Sequence, residues 1–289
     1  MKQRTVQLST AEISKQIAWY TIGFAILSVH DRVEDVDVGG TGSLVMIGSV
    51  KGVLTAAHVL KNLPDTGEVG IVLYHDLFSQ FQKQKISMEH AEKVTLSGEE
   101  FGPEGPDLGF LRLPPKNVSS LNSTNSFYNL GMLRDDVLAS KEPTPSHVDA
   151  IVGIIAERTK EVPSDKPLER LKRLEAIFCS GEIVTEKDSN GYDLLDFAVT
   201  TKPNFELPVS FEGTSGGALW RFYLEMKNDS PSAIAKRLVG VPFYQSTNSD
   251  EKQIITCHGP MSVYRNLIDK IVERWPDEAI LPKPKQSIG

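Results

Sequence analysis

The sequence predicts an all-β protein built as two packed β-barrels. Three observations carry that expectation. Short apolar or β-branched runs recur at close intervals and are separated by Gly, Pro, Asn and Asp, the pattern of strands joined by turns. One polar stretch, PKNVSSLNSTNS (115–126), interrupts the series and reads as a linker between residues 1–125 and 126–289. Helical stretches are few, and many short strands with few helices favour barrels.

The elements follow in order. STAE (9–12) has the capping-box pattern, with Ser9 as cap and Glu12 reaching back, so 10–20 is expected as a short helix. IAWYTIGFAILSV (17–29) is apolar but shorter than the ~20 residues of a membrane-spanning helix. Glu12 breaks the basic region before it and no small-residue cleavage site follows, so 22–30 is expected as a buried strand rather than an export signal. SLVMIG (43–48), GVLTAAHVL (52–60), VGIVLYH (69–75), KISMEHAEKVTL (85–96) and DLGFLRLP (107–114) supply strands to the first half. SHVDAIVGIIA (146–156), EAIFCSGEIVTEK (175–187), YDLLDFAVTTK (192–202), RLVGVPFYQS (237–246) and KQIITCHG (252–259) supply the second. Asn190-Gly191 is a strong hairpin signal. In SVYRNLIDKIVERW (262–275), Val263, Leu267, Ile268, Ile271 and Trp275 share one side of a terminal helix.

Composition narrows the function. The chain has 289 residues and a net charge of −7, which argues against nucleic acid or anionic membrane as partner, because phosphate contacts need Lys and Arg. The local basic run ERLKRLE (169–175) reads as a solvated helix face. Cys179 and Cys257 are the two cysteines. They lie far apart, lack metal-ligand spacing, and fit a reducing, cytoplasmic compartment. No cofactor or metal is expected.

FEGTSGGALW (211–220) sets a serine among glycines. A serine hydroxyl becomes a nucleophile only with a base, a group that orients the base, and donors for the oxyanion. Ser215 is the candidate nucleophile. Gly213 lets its own N–H and that of Ser215 point at one spot, and Gly216 and Gly217 leave room for substrate. The base should be a histidine, and His58 at the end of GVLTAAHVL sits among small neighbours. The orienting carboxylate should be Asp107, which opens DLGFLRL after a turn-rich segment.

In the order His58, Asp107, Ser215 these segments resemble the trypsin-like (chymotrypsin-fold) serine peptidases. GTGSLV with GVLTAAHVL resembles the histidine motif, DLGFLRL the aspartate strand, GTSGGALW the nucleophile loop, and RLVGVPFYQ the strand lining the specificity pocket. The resemblance spans about residues 22 to 275. It implies two six-stranded antiparallel β-barrels with a short N-terminal helix and a C-terminal helix. It implies a cleft between the barrels and hydrolysis of peptide bonds in protein or peptide substrates. Val59 follows His58 where secreted members have cysteine, and Thr214 replaces the acidic residue that pairs with a cut N-terminus in zymogens. The pattern is closer to bacterial HtrA-like members, here without a PDZ domain. Val209 falls at the pocket floor, so a preference for Arg or Lys is not implied. Phe243, Tyr244 and Gln245 fall on the lining strand, with Gln245 narrowing the pocket, and His258 on the opposite wall could favour acidic side chains. A small, polar or acidic P1 residue is the resulting expectation.

Two other readings remain at this stage. Gly213-Thr214-Ser215-Gly216-Gly217 also satisfies the GxSxG elbow of α/β-hydrolases, with Asp250 and His258 as partners. That elbow leads into a helix, whereas GGALW reads as a strand. A catalytically silent peptidase fold that binds a partner is the second. Its milder form is an enzyme gated by a regulatory protein or ligand through the loops 97–106, 157–168 and 222–236.

Overall fold

Strands dominate from residue 21 onward. A computed structural model describes residues 10–30, 33–77, 80–98, 101–162, 171–200, 207–227, 230–247 and 252–282. Helix α1 (Thr10–Ala18) precedes strands β1 (Thr21–His30), β2 (Val33–Ile47) and β3 (Val50–Thr55). Then come α2 (Ala57–Asn62), β4 (Glu68–Asp76), β5 (Gln80–Ser87), β6 (Glu92–Ser97) and β7 (Asp107–Arg112). A helical joint follows: α3 (Pro115–Asn122), β8 (Tyr128–Asn129) and α4 (Leu130–Leu138). The second half holds β9 (His147–Ile154), β10 (Lys160–Val162), β11 (Leu171–Arg173), β12 (Ala176–Ser189) and β13 (Tyr192–Val199). It ends with β14 (Ala218–Lys227), β15 (Ser230–Thr247), β16 (Gln253–His258), a π-turn over Ser262–Leu267 and α5 (Ile268–Arg274). The helices at both ends fall where the sequence places them. The Ser9 cap and Asp250 lie outside the described residues.

The fold is predominantly β, with antiparallel sheets and few helices. In the second half, β9, β12, β13, β16, β15 and β14 follow one another in a closed ring of antiparallel neighbours. The first half differs from the expected six-stranded barrel. Its sheet is a run of seven strands, β5-β4-β1-β2-β3-β7-β6, with β8 added in parallel to β2. No ladder joins β5 to β6 among the described residues. The turn between them is tied elsewhere instead: Met88 N–H donates to the Gly67 carbonyl and Ala91 N–H to Met88.

Two other expectations need correction. The polar 115–126 segment is mostly helix α3, started by Pro115 in the first turn, where its missing N–H costs nothing, and anchored by buried Leu121. Most of 222–236, expected as a control loop, belongs to the β14–β15 hairpin. Trp220 and Phe222 are buried on one face of β14 and Leu219 and Tyr223 on the other, which holds the hairpin in place despite its polar tip.

The two halves share one buried cluster, in which Leu54, Leu108 and Phe110 meet Val152, Trp220 and Tyr264. The C-terminal segment returns to the first half. Trp275 packs edge-on to Phe110 at 6.2 Å between centroids, and the Arg112 guanidinium lies 4.9 Å over its ring. Among the described residues no helix is long and apolar enough to cross a membrane.

Candidate active site

The loop ahead of β14 is built by three backbone hydrogen bonds and one from a hydroxyl. Phe211 is buried among Ile151, Leu219 and Ile255 and anchors the loop. Its carbonyl accepts the Thr214 N–H at 3.0 Å and the Thr214 hydroxyl at 2.6 Å. Thr214 therefore closes a turn, the role its short hydroxyl side chain suits. The Glu212 carbonyl accepts the Ala156 N–H at 2.9 Å, and the Thr214 carbonyl accepts the Gly217 N–H at 2.8 Å. Within a trans peptide the N–H points opposite to the C=O. The Gly213 and Ser215 N–H groups are thus turned away from these partners, and neither has an acceptor among the described residues. Gly213 holds φ +93° with the Ile154 carbonyl 3.1 Å from where a Cβ would stand.

The loop docks on the first half through residues the sequence reading left unassigned. Thr41 N–H donates to the Ser215 carbonyl at 2.9 Å, and its hydroxyl donates to the Gly213 carbonyl at 2.6 Å while accepting the Ile154 N–H at 2.8 Å. Thr55 in turn donates to the Thr41 carbonyl at 2.6 Å. A Cβ on Gly216 would lie 1.9 Å from Thr55 Oγ1 and 2.7 Å from the Ala56 nitrogen. Ser215 is thereby pressed against the segment that leads into His58. The hint was available: Thr41 lies in the same GTGSLV segment that carries the resemblance, yet a buried threonine hydroxyl leaves no mark on hydrophobic patterning.

His58 and Asp107 are brought together directly. Asp107 opens β7, is 1% exposed, and uses both oxygens on one residue. Oδ1 accepts the His58 backbone N–H at 2.8 Å, and Oδ2 lies 2.5 Å from His58 Nδ1. The backbone contact satisfies one of the donors that the first turn of α2 leaves unpaired. A carboxylate only accepts, so Nδ1 carries the proton and Nε2 presents a lone pair. Nε2 has no partner among the described residues, nor has the Ser215 hydroxyl, so no hydrogen bond joins them here. The His58 ring packs at 67° against Phe101, centroids 5.8 Å apart, and Lys61 lies over the Phe101 ring.

A cleft of about 110 Å³ opens beside Ser215, walled by Phe211, Thr214, Pro242, Phe243, Tyr244 and Gln245. Phe243, Tyr244 and Gln245 thus stand where the lining strand was expected. Val209 does not. It is 81% exposed and outside the cleft wall. Its carbonyl accepts Gln245 Nε2 at 3.2 Å while Gln245 Oε1 takes the Phe211 N–H at 2.7 Å. Gln245 thus bridges Val209 and Phe211, and Val209 lies beside the cleft rather than beneath it.

His258 is the second correction. It is fully buried and stacks on the far side of Phe243, centroids 4.6 Å apart, rather than facing the cleft. Its Nε2 accepts the Asp107 backbone N–H at 2.8 Å. Burial outweighs the pull of Asp107 and Asp193 and brings its pKa down to about 4, so the ring is neutral. Nδ1 then bears the hydrogen and has no partner among the described residues. The strand after Ser215 also removes the hydrolase-elbow reading, since β14 and not a helix follows the GxSxG sequence. Among the described residues no group of three or more His, Cys, Asp or Glu could hold a metal ion. No protein-family model matches the chain, and no curated protein matches it.

Proposed function

We propose that the chain is a serine endopeptidase of the trypsin-like kind, with two barrel-like halves and a His58-Asp107-Ser215 triad. The observation that carries this is the double attachment of one buried carboxylate to His58, through Nδ1 and backbone N–H, next to a serine loop with two N–H groups unpaired among the described residues. Ser215 Oγ attacks the scissile carbonyl carbon as His58 Nε2 takes its proton. The carbonyl oxygen becomes an oxyanion, held by the Gly213 and Ser215 N–H groups. His58 then protonates the leaving amine, the acyl-enzyme forms, and water repeats the sequence to release the acid. Asp107 orients the ring and stabilises its cationic form. The cleft's small volume and the Gln245 side chain favour a small P1 residue. With His258 walled off behind Phe243, no basis remains for an acidic preference.

A serine-reactive fluorophosphonate tests this. Strong labelling of the wild type that vanishes in Ser215→Ala supports it, with peptide hydrolysis falling in parallel. A second reading, a partner-gated or silent form, is favoured by the missing hydrogen bond between Ser215 and His58, a contact that often tightens only when substrate binds. Labelling that appears only after a binding partner is added selects the gated form. No labelling under any condition selects the silent one.

A further inference from the structure

The ring of β9, β12, β13, β16, β15 and β14 has two ends. Ser215 stands at one. Arg221 lies three residues along β14 from its first residue, Ala218, about 10 Å at ~3.3 Å per residue, and there the ring interior changes character. Ile151, Leu195, Leu219 and Val239 fill the middle. Beyond them, Asp149, Arg221 and Arg237 form one cross-strand row on three neighbouring strands.

Only half of that row is balanced. Arg221 Nε and Nη2 donate to the two Asp149 oxygens at 2.8 and 2.9 Å, and Nη1 donates to Glu142 at 2.9 Å. Arg237, directly opposite Arg221, is 8% exposed and pairs with no carboxylate among the described residues. Its guanidinium rests over the Tyr223 ring at 5.3 Å. Like charges opposite each other in a sheet repel, and a buried charge without a counterion is costly. Arg237 lines a cavity of about 250 Å³ whose apolar wall includes Val137, Leu195, Val239 and Met261. The acidic groups of the cavity are engaged or peripheral. Glu142 is held by Arg221, and Asp193 accepts the Met261 N–H, the Ser262 N–H and the Ser262 hydroxyl. Glu186 stands exposed at the rim.

We infer that this mouth of the ring, remote from Ser215, binds a small organic carboxylate: Arg237 takes the charge and the Val239–Met261 wall takes the apolar part. Mouths of β-barrels are recurrent ligand sites, mostly apolar with a few convergent polar groups. The neighbouring carboxylates limit the guest to a single negative charge and disfavour phosphate. A free carboxylic acid and the C-terminus of a peptide offer the same chemistry.

Isothermal titration of the full chain distinguishes them, using hexanoate and acetyl-Gly-Gly-Leu, with hexan-1-ol and inorganic phosphate as controls. Saturable 1:1 binding of one or both carboxylates, absent for the controls, is expected, and which of them binds names the source. Arg237→Met keeps the stem, loses the charge, and should weaken binding about tenfold or more. If that variant does not fold, methionine methyl NMR on the wild type decides. The Met261 signal should move with hexanoate while that of Met88, buried in the first half, stays. No saturable binding of either carboxylate, equal binding of the alcohol, preference for phosphate, unchanged affinity in Arg237→Met, or a shift at Met88 instead would each overturn the inference.

Discussion

His58 and His258 touch the same aspartate from opposite sides. His58, on the first half, is part-exposed to solvent and meets the Asp107 side chain. His258, on the second half, is sealed from solvent and meets the Asp107 backbone. A histidine moves protons only if both its charged form and its free nitrogen have somewhere to go. His58 has a carboxylate behind it and an open Nε2. His258 has a backbone donor on Nε2 and a buried Nδ1 with no partner among the described residues. Residue type and neighbour are shared; solvent and the contacted atom separate a candidate base from a strut.

The largest effect that could break this contrast lies on the His58 side. Asp107→Asn should lower peptide hydrolysis by about 10⁴-fold, because an amide that donates to Nδ1 selects the wrong tautomer. His58→Ala should fall in the same range. The steady-state rate on a cleavable peptide measures both, with thermal unfolding as the check that folding survives. A loss of less than about tenfold in Asp107→Asn would leave the pair structural, like its counterpart behind it.

The His258 side should register first in stability. His258→Leu leaves the buried Asp107 N–H without an acceptor, a cost of about 1–3 kcal/mol, readable from urea unfolding. His258→Gln restores an acceptor at the place of Nε2 without a titrating ring. If His258 positions Asp107, the Leu variant loses kcat with KM little changed and Gln recovers most of it. Equal stability of wild type and the Leu variant would dismiss the strut.

That contrast was only partly legible in the sequence. Local settings pointed to His58, Asp107 and Ser215, and strand runs marked most of both halves. The side to which His258 turns was not readable, because Ile254 through His258 are all buried and a strand covered on both faces loses the alternation that assigns them. Val209 misled for a related reason. The turn closed by Thr214 on Phe211 re-aims the chain between them, and spacing alone does not encode that. The β14–β15 hairpin looked like loop because the sequence NDSP (228–231) carries turn signals, while its hold comes from Trp220 and Phe222 packing at long range.

Acid sharpens the comparison next. His258 titrates at about 4 in the folded chain against roughly 6.5 when unfolded. The unfolded state therefore binds the proton more readily between those values. The neutral ring contributes stability that is fully present above about pH 6.5 and is lost as pH falls toward 4, amounting to about 3 kcal/mol. Urea midpoints from pH 7 down to pH 4 should drop more steeply for the wild type than for His258→Gln. Parallel slopes would mean that solvent reaches the ring.

A third histidine sets the lower bound. His147 Nε2 lies 3.9 Å from Asp149 Oδ2, so by distance it also has an aspartate partner. Yet both Asp149 oxygens already accept from Arg221 at 2.8 and 2.9 Å. The charge His147 would complement is largely neutralised, and the imidazole is open to water. His147→Asn should change unfolding stability by less than about 0.5 kcal/mol at neutral pH and leave peptide hydrolysis unaltered. A loss as large as that of His258→Leu would show that proximity to a carboxylate, and not burial and the atom contacted, decides what a histidine does in this fold.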